Sequence, residues 1–196
     1  MDKNGILKLS QEFVKKAMEG NEPGHDYLHV SRVYEMALKL AEGIDCDLFL
    51  VSLLALFHDL EDHKFASKGV LLPFLNSLGL EEETKKRILF ILPQLSFSIS
   101  PLLPSDFPIE GKIVADADRL DAMGAIGVAR AFSYGGNKNR RMYGGEESSL
   151  AHFDGKLLVL DRYLHLGKSK EIAKPRMAFL KSFYAEFKSE VGLNDD

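Results

Sequence analysis

The sequence predicts an all-α fold, a bundle of helices in one domain spanning residues 1–196. Apolar residues recur every three to four positions from end to end, and no segment shows the sustained apolar/polar alternation that is typical of strands. A share of 45% hydrophobic and 28% charged residues is an ordinary globular balance. The fold class therefore follows from periodicity, and the single domain follows from length.

Glycine and proline clusters divide this pattern into successive helices. The third helix is apolar on every side over residues 48–57, which predicts that other helices surround it. Four prolines interrupt helical structure over 93–108 as an ordered excursion, and four glycines with three cations make 134–149 the least structured segment. We expect helices over roughly 6–18, 26–41, 47–60, 70–77, 82–92, 110–132 (continuing past Gly124), 150–166 and 171–190.

Charge and composition limit the partners. A net charge of −4 and a pI near 5.9 argue against long nucleic acids and anionic membranes. Apolar runs fall short of the roughly 20 residues that span a bilayer, and no apolar signal stretch opens the chain. The single cysteine, Cys46, allows no internal disulfide and is expected to be a semi-buried residue, not a reactive thiol. A soluble cytoplasmic protein acting on small molecules is expected, and its oligomeric state stays open.

Four residues suggest one metal centre: His29, the adjacent pair His58-Asp59, and Asp118. Imidazole and carboxylate groups without thiolates suit one divalent ion such as Mn²⁺, Fe²⁺, Co²⁺, Ni²⁺, Mg²⁺ or Zn²⁺. His58 and Asp59 point about 100° apart on an ideal helix. Both can therefore reach one ion only if the C-terminal turn of the third helix presents them together.

The sequence motifs around these residues resemble those of the HD superfamily of metal-dependent phosphohydrolases, in particular a small bacterial subgroup. The resemblance implies an HD-domain helical bundle whose metal ligands fall on His29, His58, Asp59 and Asp118. The segments that carry it are Gly24 to Val33, His58 to Phe65, Asp116 to Ala122 and Tyr134 to Lys138.

Asp116 competes with Asp118 for the fourth ligand position. The Ala-Asp-Arg-Leu word of the family falls on residues 117–120, which favours Asp118. Asp118 also follows the apolar Val114 by four residues, close to the core stripe. Asp116 lies about 160° away around an ideal helix, so the two are not expected both to face inward.

A proton-accepting or water-orienting group is expected from Glu61 or Asp62, which follow the His-Asp pair. Asp62 is preferred because it comes four residues after His58 and so shares its side of a continuing helix. If the helix breaks at Leu60, the preference for Asp62 over Glu61 is lost. The alternative is that both acids simply solvate a helix end.

Positive charge is needed to bind a phosphorylated substrate. Arg32 lies three residues after His29, on the same face of the helix, which makes it a candidate to contact the substrate. The alternative is that Arg32 is a structural partner of Asp118 or Asp121. The segment 134–149 is predicted to be a mobile loop that closes over phosphates, and a merely solvated loop is the alternative. The candidate substrate-binding residues are Arg32, Lys64, Tyr134, Lys138, Arg140 and Arg141.

Two further residues are assigned to the surroundings of the metal. His25 orders the start of the second helix or lines the cleft. Asp121 holds a ligand or Arg32 in place.

The resemblance implies a hydrolase in which water activated by the metal attacks a phosphoester or phosphoanhydride of a small phosphorylated substrate, with nucleotides as the preferred class. One departure puts that class in doubt: the subgroup tends to have Ser-Phe-Lys where this chain has Ser96-Phe97-Ser98. The alternative function is a nucleotide-sensing or interaction module that keeps the metal pocket without efficient catalysis.

Overall fold

A computed structural model of the protein describes residues 1–20, 26–60 and 69–193. These residues form α-helices and 3₁₀ helices and no strand, which confirms the all-α prediction. They divide into two compact units, the first holding the described residues up to Asp118 and the second those from Arg119 onwards. None of the described helices is both long and apolar enough to cross a membrane.

The α-helices are α1 (Lys3–Ala17), α2 (Tyr27–Ala41), α3 (Leu48–Phe57), α4 (Leu71–Ser77), α5 (Glu82–Ile91), α6 (Ile109–Asp121), α7 (Gly124–Asn137), α8 (Ala151–Gly155) and α9 (Gly167–Glu190). The 3₁₀ helices are Leu92–Gln94 and Leu157–Tyr163.

Helix α3 lies at the centre of the first unit. Every residue from Leu50 to Phe57 is buried, and the helix packs against α1, α2 and α5. Burial of one leucine or phenylalanine side chain stabilises the fold by about 1.5–3 kcal/mol. Phe57 also meets the ring of Phe74 edge-on, at a centroid distance of 6.1 Å. The turn that follows α3 is therefore attached to the best-packed helix of this unit.

Aspartate side chains cap the first three helices. An aspartate at the N-cap accepts a hydrogen bond from a backbone N–H that has no partner inside the helix, which contributes about 1 kcal/mol. Asp2 accepts from Gly5 N at 2.9 Å, Asp26 from His29 N at 3.1 Å, and Asp47 from Phe49 N and Leu50 N at 3.1 and 3.2 Å.

Glu110 in the first turn of α6 joins this helix to α3 and α5. The carboxylate is buried, and its Oε1 accepts a hydrogen bond from the backbone N–H of Asp47 at 3.1 Å. The same oxygen lies 3.0 Å from Nη2 of Arg87, whose Nη1 lies 3.7 Å from Asp47 Oδ2. This network fixes the start of α3 against the start of α6.

Cys46 lies beside this network and is partly buried. Burial raises the pKa of its thiol, and the carboxylates of Glu110, Asp45 and Asp47 raise it further. The thiol therefore stays protonated at neutral pH, which matches the expectation of an unreactive residue.

The prediction of one continuous helix from about residue 110 past Gly124 is wrong. Helix α6 ends at Asp121, and α7 begins at Gly124, whose φ of 71° is strained for a residue with a side chain. Arg176 of α9 donates a hydrogen bond to the carbonyl oxygen of Leu120 at 2.6 Å. The same carbonyl also accepts the backbone N–H of Met123 at 3.1 Å, so the chain turns at the end of α6 and does not continue the helix.

The end of α7 also differs from the prediction. Residues 134–137 were expected in a loop, but α7 continues to Asn137 and contains both Gly135 and Gly136. A Cβ built at Gly135 would lie 1.9 Å from Ser149 Oγ, so the glycine permits a close approach of two chain segments. Packing therefore offsets the helix penalty of glycine, about 1 kcal/mol.

The helix expected over residues 150–166 is shorter than predicted. Helix α8 ends at Gly155, and a 3₁₀ helix follows at Leu157–Tyr163. Lys156 between them has φ −142° and ψ −59°, values outside the helical region, and so interrupts the helix.

Replacing Glu110 with alanine should lower the free energy of unfolding by about 1–3 kcal/mol, because it leaves a buried amide and a guanidinium without their shared acceptor. Urea unfolding monitored by circular dichroism measures the change. Glu82→Ala is the matched control, since its carboxylate pairs with Lys85 but is 77% exposed, and exposed pairs contribute about 0–1 kcal/mol. Equal losses in the two variants would contradict a special role for Glu110.

Candidate metal centre

His29 sits in the first turn of α2 and is fully buried. The Asp26 cap accepts its backbone N–H, which fixes the start of the helix and hence the residue that carries the imidazole. The hydrophobic residues Val30 and Val33 of the same helix are also fully buried. A polar ring is therefore held in an otherwise apolar part of the first unit.

His58 and Asp59 lie in the turn that follows α3. The α3 helix ends at Phe57, and Leu60 N donates to Phe57 O at 3.0 Å, which tightens the chain after the last helical turn. The Nδ1 atom of His58 is 2.8 Å from Ala55 O. Because a carbonyl can only accept, this contact places the proton on Nδ1 and leaves the lone pair on Nε2.

The ligand atoms of these three residues converge. His29 Nε2 lies 3.1 Å from His58 Nε2 and 3.3 Å from Asp59 Oδ2, and His58 Nε2 lies 3.7 Å from Asp59 Oδ1. One ligand atom from each residue falls within 4.8 Å of the others, so the group could hold a metal ion. The expectation that a C-terminal turn presents His58 and Asp59 together agrees with this geometry.

Asp118 approaches the same point from α6. Its Oδ1 is 3.4 Å from His29 Nε2 and 4.0 Å from His58 Nε2, and its side chain is 34% exposed. Asp116 is fully buried, so the argument that only Asp118 faces inward is wrong. Helix α6 is buried over Ile113–Ala117, on all of its sides, which is why a single core stripe did not describe it.

The donor set fits a divalent ion. Around an octahedral ion with bonds of about 2.1 Å, neighbouring ligand atoms lie about 3.0 Å apart and opposite ones about 4.2 Å apart. The separations of 3.1 to 4.0 Å fall in this interval. Two carboxylates and two neutral imidazoles carry a charge of about −2, which a divalent cation offsets.

Several other candidates lie outside the described residues: Glu61, Asp62, Lys64 and His25. Arg32 is half-buried on α2, three residues after His29. Of the remaining candidates, Tyr134 belongs to the last turn of α7, and Lys138, Arg140 and Arg141 follow that helix in the second unit.

Asp121 has a partner that the sequence did not indicate. Its Oδ2 accepts a hydrogen bond from Arg130 Nη1 at 2.9 Å, and both side chains are largely buried. The nine-residue separation spans the break between α6 and α7, so helix periodicity could not have paired them.

Arg119 is a second residue that sequence reasoning missed. It is buried, its Nη1 donates to Tyr163 O at 3.2 Å, and the same atom lies 3.3 Å from His165 Nδ1. A charged residue within the apolar pattern of α6 was the available signal, because buried arginines need acceptors. Its partners lie more than 40 positions away, so the pattern could not identify them.

Known proteins share this architecture. The family model of the HD domain matches residues 26–123. The protein YpgQ of Bacillus subtilis is 37% identical over 185 residues, covering 91% of this chain and 90% of YpgQ. The crystal structure of YpgQ in complex with ADP aligns with a TM-score of 0.81 at 33% identity, over 96% of this chain and 100% of that one. An HD-superfamily hydrolase from Bacillus thuringiensis aligns with a TM-score of 0.76 at 35% identity, over 98% and 100%.

The roles of Asp116 and Asp118 in α6 can be distinguished experimentally. Asp118→Asn should weaken Mn²⁺ affinity by about 10-fold or more, since it removes a charged oxygen near both imidazoles. Asp116→Asn should lower stability but leave Mn²⁺ affinity within about twofold, because a buried carboxylate has its own partners. Titration calorimetry on protein stripped with EDTA, paired with urea unfolding, measures both. The reverse pattern would assign the fourth ligand position to Asp116.

Proposed function

The chain belongs to the HD domain family, and from this premise we propose that it is a metal-dependent phosphohydrolase acting on a nucleotide or a similar phosphorylated small molecule. The convergence of His29, His58, Asp59 and Asp118 is the observation that carries the proposal. These four residues would hold a divalent ion and would leave it able to bind a water and a substrate oxygen as well.

Each ligand residue has a defined part. His58 offers Nε2 because Nδ1 is engaged by Ala55 O, and the buried His29 offers Nε2 from the adjacent helix. The carboxylates of Asp59 and Asp118 supply the negative charge. A divalent ion held by these groups supplies a Lewis acid that lowers the pKa of water and neutralises charge on a phosphoryl oxygen.

Proton transfer is assigned to Asp62, with Glu61 as the alternative. Both follow directly after the turn that carries His58 and Asp59. A carboxylate within hydrogen-bond distance of the attacking water accepts its proton and orients its lone pair toward phosphorus. Because α3 ends at Phe57, the spacing of four residues after His58 no longer ranks the two acids, and the preference for Asp62 rests on its position in the His-Asp-x-x-Asp segment of the resembling subgroup.

Nucleotides are the proposed substrate class. YpgQ, similar to this chain over nearly its whole length, has been crystallised with ADP. Cations are needed to balance the phosphates, and we assign this role to Arg32 and Lys64 together with Lys138, Arg140 and Arg141. Tyr134, in the same segment as these three cations, is assigned an aromatic contact with the substrate.

Phosphate release from a panel of nucleotides with added Mn²⁺ or Co²⁺ tests this function. Asp59→Ala should lower kcat/KM by about 100-fold or more, because it removes a charged ligand from the ion. Asp106→Ala, an exposed aspartate in the same unit, is the control and should leave the rate unchanged. Nucleotide binding without metal-dependent turnover in the wild type would overturn the hydrolase and favour a nucleotide-sensing module.

The proton acceptor has a separate test. Asp62→Asn should lower kcat by about 100- to 10,000-fold while metal content stays near that of the wild type, since general base catalysis contributes this much. Glu61→Gln is the control and should change kcat only a few-fold. Elemental analysis beside steady-state kinetics decides the matter, and equal loss of metal and turnover in Asp62→Asn would make Asp62 a ligand or a structural group.

A further inference from the structure

The last turn of α6 runs from Asp118 to Asp121 and so includes a proposed metal ligand. The carbonyl oxygens of a last helical turn have no partner within the helix, and helix ends therefore fray more readily than helix interiors. Asp118 is also the most exposed of the four proposed ligands, because its side chain is 34% exposed and the other three are exposed by 12% or less. The position of its carboxylate therefore depends strongly on the backbone of this turn.

Two residues of the turn accept hydrogen bonds from arginines of later helices. Leu120 O accepts from Nη1 of Arg176, in α9, at 2.6 Å. Asp121 Oδ2 accepts from Nη1 of Arg130, in α7, at 2.9 Å, and the side chains of this ion pair are 14% and 7% exposed. Solvent therefore screens the ion pair only weakly.

Arg119 adds a third contact from within the turn itself. It is buried, its Nη1 donates to Tyr163 O at 3.2 Å, and the same atom lies 3.3 Å from His165 Nδ1. Guanidinium groups at the C-terminal end of a helix also interact favourably with the partial negative charge of its last carbonyls. Three successive residues of the turn are thus tied to three different later parts of the chain.

Two glycines permit this close packing around the end of α6. A Cβ built at Gly124 would lie 3.3 Å from both Cβ and Cγ of Arg176, and a Cβ built at Gly127 would lie 2.2 Å from Ala122 O. A side chain at either position would therefore displace Arg176 or the chain that leaves α6. The break between α6 and α7 is built to bring these contacts onto the last turn.

We propose that Arg130 and Arg176 are positioning residues of the metal centre, which act by holding the last turn of α6 helical. A helical last turn keeps Asp118 Oδ1 3.4 Å from His29 Nε2, and fraying would withdraw this oxygen. Neither arginine contacts the ion or the substrate in this role. The inference rests on the part of the proposed function that makes Asp118 a metal ligand.

Hydrogen–deuterium exchange in EDTA tests the effect of the arginines on the helix without any metal. Arg130→Gln and Arg176→Gln should each raise the exchange rate of amides in residues 118–123 by about 10-fold, because each removes one hydrogen bond from the turn. Lys174→Gln is the control: it makes the same charge change in α9, but its side chain is 69% exposed and pairs with Glu171. Exchange equal to that of the control would overturn the proposal.

Calorimetric titration with Mn²⁺ tests the consequence for the metal centre by a double-mutant cycle. Each arginine variant should weaken Mn²⁺ affinity by about fivefold in otherwise wild-type protein. In the Asp118→Asn background the same substitutions should change affinity by less than about twofold, because no charged oxygen remains to be positioned. A merely structural role predicts equal losses in the two backgrounds, and that outcome would also overturn the proposal.

Two further variants separate positioning from loss of stability. Phe153→Leu shortens a fully buried side chain of α8 and should lower stability while leaving Mn²⁺ affinity within about twofold of wild type. Arg176→Gln leaves Leu120 O with the Met123 amide at 3.1 Å, so it tests the role even if Arg130→Gln, which removes the cation beside buried Asp121, does not fold.

The failures of this role and of the proposed function differ in what they show. Absence of Mn²⁺ binding in the wild type would overturn the proposed function and this role with it. Wild-type binding with equal losses in both backgrounds overturns the positioning role alone.

Discussion

The approach of two imidazole nitrogens to 3.1 Å, with carboxylate oxygens 3.3 to 4.0 Å from them, is the constraint on which the first unit depends. Lone pairs and negative charges gathered in this way repel one another unless a proton or a cation lies among them. The protein must therefore hold the groups in place through packing elsewhere. Three chain segments, α2, the turn after α3, and α6, supply them.

The packing of α3 provides most of the constraint that holds these groups in place. Its side chains are buried from Leu50 to Phe57, so the turn that carries His58 and Asp59 has little freedom to move. At the opposite end, the Asp47 and Glu110 contacts fix the start of α3 against the start of α6. The same two helices thus carry candidate ligands toward one end and are joined by a part-buried hydrogen bond at the other.

Local sequence signals account for the features that could be predicted. The buried α3 followed from its unbroken apolar run, and the start of α2 near residue 26 followed from the glycine and proline residues just before it. The break at Gly124 and the extension of α7 through Gly135 did not, because they depend on Arg176 and Ser149, which are distant in the sequence. The burial of Asp116 was missed because periodicity assumes one buried face, whereas α6 is buried on all sides over Ile113–Ala117.

The proposed hydrolysis of a phosphorylated substrate requires positive charge beyond that of the proposed metal ion. A divalent ion would offset only the charges of Asp59 and Asp118, and the chain as a whole carries a net charge of −4. A di- or triphosphate therefore gains no long-range attraction from the protein and must find its cations locally. Under the proposed function, this charge comes from Lys138, Arg140 and Arg141, which are close together in the sequence.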